Sequence, residues 1–303
     1  MSLTVEPISD TKYHLAEGPF WDHKHQNVYF VDAFVGDIHQ FDIKNSKTKT
    51  YQLKDLVTIV IPYEDNSDIL LITLSNQIIK YDTRNGNQEM LASIALPIEG
   101  KERFNDGKID GRGRLWIGSV VNGSNGIVAK MGNLYKFEKN RMIKMSEGFT
   151  ISNGMTWNQN YTKLYFNDSE DQKIYVFDYD LQNGLISNKT IFVNIKTSDY
   201  FKSNEYPDGL TIDVKGYLWT ALYGGSRVVQ IDVESGNVIN SITIPSPLTT
   251  SVAFGGPNMN QLFVTSGNEG KDEYKNSGQV FRITSNDPNF KALRFEQYFN
   301  PNS

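Results

Sequence analysis

The sequence predicts an all-β fold, a six-bladed β-propeller with four-stranded blades. Three observations carry that expectation. Short β-branched and aromatic runs, separated by Asn, Asp and Gly turns, fill the chain, and helical periodicity is scarce. Six of these runs recur: Asn27–Asp32, Asp68–Thr73, Arg114–Gly118, Lys163–Asn167, Tyr217–Ala221 and Gln261–Thr265. Aligned on Tyr29, Leu70, Leu115, Leu164, Leu218 and Leu262, they are spaced 41, 45, 49, 54 and 44 residues apart. A second alternating run ending in a turn former accompanies them: Ile38–Asp42, Ile78–Asp82, Leu134–Glu138, Ile174–Asp178, Val228–Asp232 and Val280–Thr284. A four-stranded unit repeated every ~40–50 residues is a propeller blade. An ordinary sandwich has no reason to repeat six times in register. Thr4–Ile8 precedes the first blade and is expected to close the ring as an outer strand of the last, near Phe295–Phe299, which would protect two sheet edges. No linker or low-complexity segment interrupts the chain, so residues 1–303 are read as a single domain.

The chain has 303 residues, among them 17 Phe, 16 Tyr and 4 Trp, an aromatic content that a disordered chain would not carry. Its net charge of −5 leaves no basic surplus for a phosphate backbone or an anionic membrane. The absence of cysteine excludes disulfides, thiol nucleophiles and thiolate metal sites. Met1–Pro7 has neither a basic nor an apolar leader character, and no run reaches the ~18 apolar residues of a spanning helix. The expectation is a soluble cytoplasmic monomer whose partner is a small molecule, with no nucleic acid and no membrane involved.

Residues that break the hydrophobic repeat point to chemistry. The first strand of a propeller blade runs beside the central channel, and residues at its start point to one axial spot. Four repeats carry a polar residue directly before a glycine, 8 to 11 residues ahead of the aligned position: Glu17-Gly18, Asp106-Gly107, Asn153-Gly154 and Asp208-Gly209. The second and sixth repeats read Thr58–Ile61 and Ser251–Phe254 instead. Each dipeptide alone is a turn signal. Four at matching places converge by symmetry, and three carboxylates on one axis repel unless a cation holds them. An all-oxygen set of Glu, Asn and Asp suits a hard divalent cation in a central metal-binding channel.

These motifs also carry a resemblance. Glu17-Gly18-Pro19-Phe20-Trp21, Arg103–Lys108, Ser152-Asn153-Gly154 and Pro207-Asp208-Gly209 resemble the regucalcin (senescence marker protein)/gluconolactonase family. Ser251–Asn258 looks most like its insect, luciferin-regenerating members. The resemblance spans roughly Glu17 to Ile283 and implies a six-bladed propeller with one divalent metal. Ca2+ is the first expectation, with Zn2+, Mg2+ or Mn2+ as the others. It implies metal ligands Glu17, Asn153 and Asp208. Arg103 and Asn105 would contact substrate, Asp106 would sit beside the metal, and Asp208 would be the catalytic base. The implied activity is a metal-dependent hydrolase of a small cyclic ester. The alternatives are a luciferin-regenerating activity on a heterocycle and a non-catalytic calcium-binding propeller. One departure stands out. Where sugar-lactonase members place a substrate-gripping glutamate, this chain has Gly123, within Ser119–Gly126, and no acid nearby.

Other signals read as structural. His14, His23, His25 and His39 all fall in the first 39 residues, and the His23/His25 pair sits in a polar turn. Asp168–Asp171 lacks the spacing and terminal glutamate of an EF-hand. Neither a Gly-x-Ser-x-Gly elbow nor a P-loop occurs. Trp21, Trp116, Trp157 and Trp219 are expected to pack between blades.

Overall fold

The computed structural model describes residues 2–94, 101–270, 274–294 and 296–303. It is an all-β propeller. Four antiparallel sheets follow in chain order. The first is Ala16–Asp22, Asn27–Asp32, Asp37–Asp42 and Lys47–Gln52. The second is Val60–Pro62, Ile69–Leu74, Gln77–Asp82 and Gln88–Ser93. The third is Lys101–Ile109, Leu115–Gly123, Gly132–Glu138 and Arg141–Phe149, with the short strand Gly126–Ile127 at its side. The fourth is Ser152–Trp157, Lys163–Asp168, Lys173–Asp180 and Leu185–Asn194.

The remaining strands do not split into two separate sheets, as six discrete blades would require. Tyr206–Ile212, Leu218–Tyr223, Arg227–Ile231 and Val238–Thr243 share one eight-stranded sheet with Leu248–Gly255, Gln261–Gly267, Phe281–Ser285 and Leu3–Pro7. Among the described residues one pair, Tyr223 opposite Leu248, joins the two halves.

The recurring runs are the second and third strands of each unit. Second strands such as Asn27–Asp32 and Ile69–Leu74 are buried throughout, as is the inner strand Ser152–Trp157. The outer strands are mostly exposed, as in Lys47–Gln52, and show little apolar contrast. Consecutive units pack through their inner strands, and the last returns to the first. Thr250 Oγ1 donates to the Ala16 carbonyl (2.6 Å), and Leu15 bridges Gly267. Trp21 stacks on Phe263 at 5.7 Å.

The N-terminal strand does close the last unit, but with another partner than expected. Leu3–Pro7 pairs antiparallel with Phe281–Ser285. Phe295 lies outside the described residues, and Phe299 instead bridges Tyr63 of the second sheet. The C-terminal segment thus crosses the end of the ring opposite the bulged residues described below. Val214 N–H donates to Lys291, Ala292 N–H to Met259, Phe299 N–H to Pro62 and Asn300 N–H to Gly113. Arg294 Nη2 donates to the Asn158 carbonyl (2.8 Å), and Trp21 N–H to Glu296 (3.2 Å). Those contacts reach every unit of the propeller.

An aspartate at the end of an inner strand organises the turn that follows. Asp110 accepts from the backbone N–H groups of Arg112 and Arg114 and from Trp116 Nε1 (3.0 Å). Asp213 does the same for Lys215, Tyr217 and Trp219 Nε1 (2.8 Å). All four tryptophans are buried, at two positions in the units. Trp21 and Trp157 lie on inner strands, and Trp116 and Trp219 on second strands. Among the described residues no helix is long and apolar enough to cross a membrane.

Candidate metal centre and its acidic cluster

The polar-glycine dipeptides lie on the innermost strands, near the start in three of them and midway along Lys101–Ile109 for Asp106-Gly107. Each sits in a β-bulge, where the register slips between Glu17 and Phe20, Phe104 and Gly107, Ser152 and Met155, and Pro207 and Leu210. The slip recurs between Thr249 and Val252, where the sequence offers no glycine and gave no signal. A bulge re-aims a side chain that a regular strand would alternate away. Two glycines are sterically required. A Cβ on Gly154 would meet the Asp208 carbonyl oxygen at 2.5 Å and Leu210 N at 2.4 Å. One on Gly209 would meet Ser251 Oγ at 2.0 Å.

The bulges bring Glu17, Asp106 and Asp208 into electrostatic contact. Burial and the neighbouring Asp106 carboxylate push Glu17 up to about 8, against the pull of the Gly18 N–H and Arg103. Burial pushes Asp106 up to about 6, with Lys108 and its own Gly107 N–H opposing. Asp208 is raised well above the carboxylate range, by burial first and then by Glu17 and Asp106. Its Oδ1 is buried with no hydrogen-bond partner.

Asn153 completes the group through a chain of hydrogen bonds that sequence reasoning missed. Ser169 Oγ donates to the Pro207 carbonyl (2.7 Å), so it must accept from Asn153 Nδ2 (2.9 Å). Asn153 also hydrogen-bonds Asp208, so its amide is held between Ser169 and the cluster. Ser169 belongs to the stretch that resembled a calcium loop. Its neighbour Asp168 is structural, accepting from the Thr150 and Ile151 N–H groups.

Arg103 and Asn105 form the polar rim. Arg103 Nη1 donates to Asn105 Oδ1 (2.8 Å) and to the Phe104 carbonyl (3.1 Å), and Asn105 Nδ2 donates to the Ser152 carbonyl (3.0 Å). Burial lowers the Arg103 guanidinium to about 10, and Glu17 opposes that fall. Among the described residues its Nε and Nη2 make no hydrogen bond. Beneath the cluster, Lys108 pairs with Glu296 of the C-terminal segment at 3.2 Å. Tyr223 lies close enough to Asp208 and Glu17 to be pushed upward, and its hydroxyl donates to Glu269. Neither Ser169 nor Glu296 stands beside a glycine, and Tyr223-Gly224 lies at the end of a second strand, outside the repeated inner-strand position, so the repeat pattern could not flag them. Gly123 pairs with Gly126 at a hairpin tip, with no acid at that point. His25 Nδ1 pairs with Asp22 (2.8 Å), and His23 packs on Tyr298.

The donor set fits a divalent cation. It offers the buried Asp208 carboxylate with an unpartnered oxygen, the half-buried Glu17 and Asp106 carboxylates with too few protein cations to balance the three, and the Asn153 amide.

Residues 15–268 match the region described as SMP-30/Gluconolactonase/LRE-like. The chain is 34% identical to a Bacillus subtilis (strain 168) protein provisionally named sugar lactone lactonase YvrE, covering 86% of each. It is 29% identical to regucalcin of Gallus gallus, over 93% of this chain and 95% of that one. A solved luciferin-regenerating enzyme superposes with a TM-score of 0.87 at 30% identity, covering 98% of this chain and 100% of the other. A structure titled as a calcium-binding protein, regucalcin, from Agrobacterium tumefaciens shares the fold, with a TM-score of 0.86 at 23% identity. The chain therefore belongs to the SMP-30/gluconolactonase/LRE-like family.

Proposed function

We propose that this protein is a divalent-metal-dependent hydrolase of small cyclic esters. The eight-stranded sheet counts as two blades hinged at Tyr223 and Leu248, which gives a six-bladed ring around a central channel. Glu17, Asn153 and Asp208 hold one divalent cation there, Ca2+ foremost. When bound, the cation acts as a Lewis acid toward the lactone carbonyl and offsets the charge of the cluster.

The chain's own residues do the rest. Arg103 offers Nε and Nη2 to substrate oxygens, and Asn105 keeps that guanidinium in place. Asp208 Oδ1 takes a proton from water as the water oxygen adds to the carbonyl carbon. The ring C–O bond then breaks, the proton passes to the departing ring oxygen, and lactone plus water become one hydroxy acid. The carrying observation is the unpartnered Asp208 Oδ1 amid Glu17, Asp106 and Arg103. The family's name and the lactonase-named relative support the reaction class.

The test is a panel of lactones assayed on metal-analysed protein. Turnover lost on chelation and regained with one equivalent of metal is the expected result. Metal bound without hydrolysis of any lactone would leave a non-catalytic calcium-binding propeller.

A further inference from the structure

We infer that the preferred substrate is a lactone bearing an apolar ring or alkyl substituent, not a polyhydroxylated sugar lactone. This inference rests on the hydrolase reading above and deepens it. The recess over the acidic cluster has two unlike walls. One carries Glu17, Arg103, Asn105, Asp106 and Asn153, and the other Leu15, Ala33, Phe34 and Leu56; Thr58 also lines the recess.

The second wall offers almost nothing to a hydroxyl. Its side chains are hydrocarbon, and its backbone groups are largely engaged. Leu15 N–H donates to Asp32 Oδ1 (2.9 Å), and the Leu15 carbonyl accepts from Ala33 N–H (2.9 Å). The Ala33 carbonyl accepts from Val57 N–H (3.2 Å). Leu56 N–H donates to Asp55 Oδ1 (2.7 Å), and the Leu56 carbonyl accepts from Ser75 N–H (2.9 Å). A sugar hydroxyl turned to this wall would lose its water without replacement, which costs affinity tenfold or more per group. On the polar wall Arg103 only donates, and Asn105 Oδ1 is already taken.

Phe34 marks where an apolar substituent goes. Its ring is 57% exposed, lies 5.9 Å from the Arg103 guanidinium and stands edge-on to His14. It belongs to the turn linking the second and third strands of the first sheet, at the end of the ring where the inner strands begin. Of the eleven exposed large hydrophobic side chains among the described residues, six lie at that same end: Phe34, Val35, Met131, Tyr200 and Tyr274 in loops, and Ile127 on the short strand Gly126–Ile127. The other five lie on outer strands. Of the six, Phe34 is the one that lines the recess, and it sets an apolar side chain where a sugar-binding site needs hydrogen-bonding groups.

The experiment compares kcat/KM for γ-phenyl-γ-butyrolactone and glucono-1,5-lactone on the Ca2+- or Mn2+-loaded protein, for wild type and Phe34→Ala. The expected result is at least a tenfold preference for the phenyl lactone. Phe34→Ala should lower that ratio about tenfold, the fold-change that losing roughly 55 Å² of apolar contact gives. Equal or better turnover of gluconolactone, or a ratio that Phe34→Ala does not move, overturns the substrate class and leaves the hydrolase standing. Hydrolysis of neither compound with metal bound overturns the hydrolase reading and this inference together.

Discussion

Raising the pH on cation-free protein should destabilise it, and the acidic cluster is the reason. Glu17 is held up at about 8 in the fold, against an ordinary value of 4.5. A carboxyl raised on folding gives stability that is fully present below its unfolded value and lost as pH rises through the folded one. The window therefore runs from about pH 4.5 to about pH 8. At about 1.4 kcal/mol per pH unit, that gap is worth up to about 5 kcal/mol. Asp106 and Asp208 shift in the same direction through the same repulsion, so the three titrate as one set and their effects do not simply add. For a chain of this length, about 5 kcal/mol lowers Tm by roughly 8 °C. The assay is thermal unfolding in chelator from pH 5 to pH 9, repeated with Ca2+ and with Glu17→Gln, which cannot ionise. Chelated wild type should fall in Tm across that range, whereas Glu17→Gln should show a shallower fall. Ca2+ should reverse the trend, because binding requires ionised ligands and releases protons. Identical slopes for wild type and Glu17→Gln in chelator would refute the reasoning.

Three further outcomes follow from the same geometry. Asn153→Asp adds a carboxylate to the ligand set and should tighten Ca2+ binding at pH 8 about tenfold by calorimetry. Unchanged affinity and turnover would remove Asn153 from the ligands. Gly209→Ala places a methyl group 2.5 Å from Ser251 Cα, where backbone must move, and should cost about 3 kcal/mol in urea unfolding. Phe299→Ala empties a buried site where the C-terminal segment meets Tyr63 and Phe137, and should cost about 3–5 kcal/mol.

The parts of this fold that were legible in the sequence are the ones with contrast. Second strands are apolar runs buried throughout, and third strands interleave buried apolar with half-buried polar residues, so Asn27–Asp32 and Gln77–Asp82 stand out. Outer strands such as Lys47–Gln52 are polar on nearly every side and read as turn or loop. The site residues were legible as breaks in the repeat, because Glu17, Asp106, Asn153 and Asp208 each needed a following glycine for the bulge and the close packing beside it. Thr250 and Ser251 occupy the equivalent bulge without a glycine and so left no trace. Ser169 reaches Asn153 from the end of the neighbouring strand and Glu296 pairs with Lys108 from the far C-terminal segment, contacts that no local pattern encodes. The partner of the N-terminal strand was misjudged for a related reason. Buried aromatic residues near the C-terminus look like a strand, yet Tyr298 and Phe299 are buried by lying across the ring's end.

The central claim is that Glu17, Asn153 and Asp208 hold one divalent cation. A crystal grown with Mn2+, measured at the manganese absorption edge, tests it most directly. One anomalous peak per chain, bonded to Glu17 carboxylate, Asn153 Oδ1 and Asp208 carboxylate, is the predicted result. No peak among these three side chains at saturating Mn2+ would contradict it.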